Sequence, residues 1–158
     1  MAFRRVLVFL ASGAYLGYAP VASGTVGTLA GVALYPAFHG LRLASTPLYL
    51  LSFVALVAAA IWIAGQAEAI FEEQDSGRIT IDEVAGYIAA TLFVAPTLAT
   101  LVASFLLFRL FDILKLWPAY VFDQEIEGGI GVVMDDVFAG LYANLSLRGL
   151  FWLFAVPV

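Results

Sequence analysis

Two adjacent acid pairs, Asp82-Glu83 and Asp135-Asp136, stand in apolar surroundings, and another acid, Asp112, is flanked by Arg109 and Lys115. On a helix, spacings of i−3 and i+3 put both cations beside Asp112 on one face. Asp135-Asp136 lies between Gly131-Val132-Val133-Met134 and Val137-Phe138-Ala139-Gly140, so a solvated face does not account for it. Each acid carried into hydrocarbon costs about 2.5 to 3.5 kcal/mol, and neighbouring carboxylates repel each other as well. Arg109 and Lys115 leave three of the five carboxylate charges uncompensated, and a bound divalent ion offsets two of those. Carboxylate oxygens suit hard cations, and Mg²⁺ characteristically takes one or two of them together with waters and a substrate phosphate. Asp82, Glu83, Asp112, Asp135 and Asp136 are therefore the candidate metal ligands, and with Arg109 and Lys115 they form the candidate catalytic set. Taken singly, Asp82-Glu83 also suits the start of a helix dipole, and Asp112 a plain ion-pair ladder.

Two glycine clusters complement the acids. Ser23-Gly24-Thr25-Val26-Gly27-Thr28 opens a predicted helix, where free N–H groups and the positive helix end receive anions. Gly128-Gly129-Ile130-Gly131 does the same for the last helix. Gly24, Thr25, Gly27, Thr28, Gly128 and Gly129 are thus candidate phosphate-binding residues. The same glycines permit close helix packing, and Gly27 with Gly31 is a small-xxx-small pair; the hydroxyls of Thr25 and Thr28 favour ligand contact. Glu68, Glu72, Glu73, Asp123 and Glu125 read as loop or interfacial charges. The chain has no cysteine and one histidine, His39, which falls on the side away from the acids, so thiolate sites and Ser-His-Asp catalysis have no support. No basic tract suggests nucleic-acid binding.

The elements that must position these groups are apolar. The 158 residues are 63% hydrophobic and 12% charged, with a mean hydropathy of +1.00, whereas a soluble domain is about a quarter charged. Between Arg42 and Glu68 there is no charge, a run longer than the roughly 20 residues that cross a ~30 Å hydrocarbon layer. The expected fold is all-α, a polytopic helical membrane protein forming a single domain over residues 1–158, with four to five membrane helices and a Gly-rich N-terminal loop. Its N-terminus, with Arg4 and Arg5 before an apolar run, reads as a retained membrane segment rather than a signal.

Helices are predicted over Thr25–Phe38 and Pro47–Phe71, followed by a polar loop over Glu72–Thr80. The next apolar stretch is broken by Pro96, which lacks an N–H and disfavours helix before it. One kinked span and two helices, Ile81–Ala95 and Thr97–Trp117, reversing at Pro96, compete. Reversal puts Arg4, Arg5, Arg78 and Lys115 on one side and Arg42 and Arg148 on the other, a positive-inside arrangement that a kink would lose. It also gathers the five acids at one membrane face, the cytoplasmic one. A polar loop, Pro118–Gly129, and a last segment, Ile130–Leu147, with Arg148 and a short apolar tail complete the chain.

With these residues in view, the sequence resembles the phosphatidylglycerophosphatase A family of bacterial membrane phosphatases. The resemblance is carried by Gly24-Thr25-Val26-Gly27-Thr28-Leu29-Ala30-Gly31, by Asp75-Ser76-Gly77 through Ile81-Asp82-Glu83-Val84-Ala85-Gly86, by Phe108-Arg109 through Asp112 and Lys115 to Trp117-Pro118, and by Gly128-Gly129 through Asp135-Asp136 to Gly140. Ser23 and Leu116 stand where the family usually has Pro, and the region of Glu127 also departs from it; no carboxylate is lost. The resemblance implies Mg²⁺-dependent removal of the terminal phosphate of phosphatidylglycerophosphate, in phospholipid biosynthesis at the cytoplasmic face of the bacterial inner membrane, with phosphatidylglycerol and inorganic phosphate as products. A water activated by the metal and an aspartyl-phosphate through Asp135 or Asp136 both fit such chemistry. A cation-coupled transporter would instead place acids near the bilayer midplane, and oligomeric state leaves no mark in the sequence.

Overall fold

The computed structural model describes residues 2–154, and all regular structure among them is helical. The charge-free run forms α3 (Thr46–Phe71), which Ser45 caps by accepting from the Leu48 N–H and whose first turn takes Pro47, a residue tolerated there because that N–H has no helical partner. Before it come α1 (Ala2–Ala11), a 3₁₀ turn at Leu16–Tyr18 and α2 (Ser23–Ala44); after it come α4 (Ile81–Ala90), α5 (Leu98–Leu114), the short α6 (Ala119–Glu125) and α7 (Gly129–Leu153). The expected helix ending at Phe38 runs on to Ala44, through Pro36. Within the expected polar loop Pro118–Gly129 the chain forms α6. Part of the short apolar tail lies outside the described residues.

The chain does reverse around Pro96. α4 stops five residues earlier than expected, at Ala90, because Thr91 turns its hydroxyl back onto the Tyr87 and Ile88 carbonyls (3.0 and 3.1 Å). α5 then starts with a reciprocal cap between Thr97 and Thr100. α7 anchors the end of α4: the Asn144 amide donates to the Ala90 and Leu92 carbonyls (both 2.9 Å), and Arg148 donates to Leu92 and to Asn144 (both 2.8 Å).

α4 is the central helix, buried from Asp82 to Ala90 and enclosed by α2, α3, α5 and α7. Its partner α7 runs parallel to it. A Cβ on Gly140 would run into the Gly86 carbonyl, and one on Gly86 would meet the Asp136 carbonyl at 2.7 Å. The pairs 82–136, 86–140 and 90–144 keep one offset turn after turn. The two helices carry the same pattern, Asp-x-x-Ala-Gly-x-x-Ala, at residues 82–89 and 136–143. Small residues let the backbones touch, and each acid sits one turn ahead of its glycine.

Among the described residues, α3 and α7 are the helices long and apolar enough to cross a membrane, so length and composition alone support two of the four to five membrane helices expected. In α3 only 22% of the most apolar stretch is buried, leaving Leu51, Val54 and Trp62 on an outer face. The basic residues sort by end. Arg4 reaches the Ile70 carbonyl and Arg78 lies over Phe71 at the end where α4 begins; Arg42 lies over Phe93 and Arg148 on Leu92 at the other. His39, beside Tyr35 in the far half of α2, is at the second end.

Candidate active site

At the end where α4 starts, four elements meet around a cavity of about 330 Å³. α4 supplies Asp82 and Glu83 from its first turn; α7, in parallel register, brings Asp135 and Asp136 to the same depth. α5, running the opposite way, delivers Arg109, Asp112 and Lys115 at its C-terminal end. The first residues of α2, Ser23 and Gly24, and the loop Asp75-Ser76-Gly77 close the rim. All five sequence-predicted acids and both cations thus line one cavity, and Asp75 makes six acids against two cations there.

The acids divide by partner. Arg109 pairs with Asp112 at 2.6 Å and approaches Glu83 at 3.9 Å. Lys115 donates to Asp135 and pairs with Asp123 at 2.7 Å, with Asp112 at 3.9 Å. The other oxygen of Asp135 accepts the Asp136 backbone N–H at 2.8 Å, so both ends of that carboxylate are held. Asp82, Glu83 and Asp136 form the remaining trio: each offers an oxygen within 4.8 Å of the others, and all are buried. Asp82 Oδ1 and Glu83 Oε2 have no hydrogen-bond partner among the described residues. Buried carboxylate oxygens left unpaired are costly, and three converging ones form the hard, all-oxygen donor set that a divalent cation takes. The residues present fit a metal.

The glycine candidates separate too. Gly24 lies on the cavity wall: a Cβ there would strike the Glu83 carboxylate and come within 3.2 Å of both Arg109 terminal nitrogens. The guanidinium therefore lies against the first turn of α2, whose N-terminus no side chain among the described residues caps. Gly27 instead packs on Thr80, Thr28 is fully buried with its hydroxyl on the Gly24 carbonyl (2.8 Å), and half-buried Thr25 does not line the cavity. Gly129 touches the Ile61 carbonyl of α3, while Gly128 lines an adjoining recess with Glu68, Asp75, Asp123 and Asp135.

Asp123, read from the sequence as a loop charge, belongs to the Lys115 network. Burial raises its carboxyl pKa, but hydrogen bonds from Lys115 and Gln124 outweigh that and hold it below the ordinary value. Seven residues lie between it and Lys115, and the turn at 116–118 into the unforeseen α6 brings the two together. Asp75, Ser76 and Gly77 also enter the rim; Ser76 donates to Glu73 (2.6 Å), which Arg78 also holds (3.0 Å).

The sequence model of the phosphatidylglycerophosphatase A family matches residues 9–151, a span that contains every residue of the cavity. The chain belongs to that family. Phosphatidylglycerophosphatase A of Escherichia coli K12 is 31% identical to it over 134 residues, covering 84% of this chain and 76% of the relative. The Haemophilus influenzae Rd protein of the same name is 33% identical over 147 residues (91% and 88%). A Bacteroides thetaiotaomicron protein described as a candidate phosphatidylinositol-3-phosphatase is 36% identical over 160 residues (92% and 93%). No solved structure matches the chain. As a member of the phosphatidylglycerophosphatase A family the protein is a phosphatase, a hydrolase of phospholipid metabolism.

Proposed function

We propose that the protein hydrolyses phosphatidylglycerophosphate to phosphatidylglycerol and inorganic phosphate, using Mg²⁺, at the cytoplasmic face of a bacterial inner membrane that it crosses several times. The observation that carries this reading is the trio Asp82, Glu83 and Asp136, buried beneath a rim of helix N-terminus and guanidinium with two of its oxygens unpaired. These three residues would hold the ion, and Asp112 and Asp135 border them. A bound Mg²⁺ there supplies charge neutralisation for a phosphate dianion and lowers the pKa of water.

The remaining groups have distinct tasks. Arg109 and the uncapped first turn of α2 offer N–H donors on one wall, suited to the phosphoryl oxygens and to charge developing on them. Lys115 fixes Asp135 and, through it, the Asp136 N–H, so the ends of α5, α6 and α7 are tied at the rim. A cavity of about 330 Å³ is near the small end of ligand sites, enough for a phosphorylated headgroup with its tails outside. The exposed apolar faces of α3 and α5 and the grouping of Arg4, Arg5, Arg78 and Lys115 toward the site support a membrane setting with this end inside.

Two of the three relatives above carry the phosphatidylglycerophosphatase name, and the third a phosphoinositide one. Phosphate release by purified protein in mixed micelles, with phosphatidylglycerophosphate and phosphatidylinositol 3-phosphate offered separately, tests the choice. At least tenfold higher kcat/KM for the former is expected; a preference for the inositol lipid would overturn the substrate assignment.

A further inference from the structure

Between α2 and α5, on the outer side of the molecule, runs a groove lined only by apolar side chains, among them Leu29, Val32, Leu101, Val102, Phe105 and Leu106. Its rims are open: Leu29 is 51%, Val102 50% and Leu106 61% exposed. The two helices touch little directly because α4 spaces them. Gly31 of α2 rests on the Tyr87 ring, and the Tyr87 hydroxyl donates to the Leu101 carbonyl (3.3 Å) and accepts from Ser104 (3.1 Å) of α5. The groove has a buried polar tie behind it and an open apolar front.

The same two helices form one wall of the acidic cavity. At about 1.5 Å per residue, Leu29 and Val32 lie roughly 7 and 12 Å along α2 from Gly24, and Phe105 and Leu101 lie roughly 6 and 12 Å back along α5 from Arg109. On α5 the groove starts about one turn back from Arg109 and continues for about two more turns to Leu98; on α2 it covers less than a turn, from Leu29 to Val32. Phe105 and Val102, four and seven residues before Arg109, lie on the same face of α5, so a phosphate against Gly24 and Arg109 has the apolar side chains of the groove one and two turns away.

Resting on the phosphatase reading above, we infer that this groove is the acyl-chain subsite, in which one hydrocarbon tail of the lipid phosphomonoester lies between α2 and α5 while its phosphate is held at their site ends. The occupant is the tail of the substrate, because the groove begins about one turn from the phosphate cavity on the Arg109 face of α5 and carries no polar side chain. Leu29 from α2 and Val102 from α5 both line it and are half exposed.

The test uses phosphatidylglycerophosphate carrying a diazirine midway along one acyl chain, photolysed with the full chain in phosphatidylcholine vesicles. Peptide mass spectrometry is expected to find most of the label on residues 29–32 and 98–106. Excess unlabelled phosphatidylglycerophosphate should reduce that label at least tenfold, and extra phosphatidylcholine should not. Leu29→Trp and Val102→Trp, both at exposed positions, should each cut groove labelling at least fivefold. Label spread over the outer face of α3, or equal competition by phosphatidylcholine, means annular lipid only and overturns the subsite. Phosphate release on the same preparation separates the two claims: release without groove labelling removes the groove alone, and competed groove labelling without release removes the phosphatase reading alone.

Discussion

Asp135 and Asp136 are neighbours in sequence with different partners, and their substitutions should differ accordingly. Asp136→Asn removes one oxygen donor of the trio; turnover should fall at least about a hundredfold, on the order of 3 kcal/mol of transition-state stabilisation. Thermal unfolding of the same preparation should not be lowered, because one of several mutually repelling buried carboxylates is gone. Parent-like turnover would remove Asp136 from the site. Asp123 makes a different prediction, since Lys115 holds its carboxyl below the ordinary value. A carboxyl whose pKa is depressed by folding stabilises above its unfolded value of about 3.9 and loses that contribution as pH falls through the folded one. Asp123→Asn should therefore lower stability by about 1–2 kcal/mol at pH 7 and at pH 5, and the gap to the parent should close below pH 4. The acids were legible in the sequence because charge inside apolar surroundings has few structural uses. Asp123 was not, because its role depends on a short helix with no periodic signal. The glycines were ambiguous for a physical reason: a phosphate cradle and a close helix contact both ask for an absent side chain, and only the neighbours, Arg109 at Gly24 but Thr80 at Gly27, tell them apart.

At the scale of elements, the parallel pair α4 and α7 aligns the acids. A Cβ on Gly140 would meet main-chain atoms of α4, the Gly86 carbonyl and the Ala90 nitrogen at 3.0 Å, which yield far less readily than a side chain. Gly140→Ala should cost about 1–3 kcal/mol and lower turnover as the acid pairs part. Gly40→Ala in α2 meets nothing within 4 Å and should be neutral or stabilise by up to ~1 kcal/mol, the difference in helix propensity. Equal effects of the two substitutions, compared by thermal unfolding, would dismiss the close crossing as the device that sets register. The reversal at Pro96 was readable from the charge distribution, since only a turn there puts Lys115 with Arg78. The repeated Asp-x-x-Ala-Gly-x-x-Ala was present but mute: four shared residues in eight signify little until the helices are known to lie parallel and in register. Where α4 ends was hidden as well, because Thr91, Asn144 and Arg148 settle it through tertiary hydrogen bonds rather than local propensity.

For the whole molecule, the proposed sidedness and the proposed metal are separable. The chain lacks cysteine, so single thiols report topology cleanly. In intact cells a membrane-impermeant maleimide should leave Gln74→Cys unlabelled and label Gly40→Cys; the reverse pattern would turn the active site outward. The all-helical fold was foreseeable from the long apolar runs, whereas length and hydropathy single out α3 and α7 alone among the described helices, since α2 and α5 combine apolar faces with glycines, hydroxyls and site residues that blur a hydropathy signal. The central claim is that the acids gathered at the start of α4 work through a divalent cation. Phosphate release from phosphatidylglycerophosphate by protein stripped with EDTA, followed by back-titration with Mg²⁺, tests it most directly. The account predicts no turnover in chelator and recovery on adding Mg²⁺; full turnover in EDTA would contradict it.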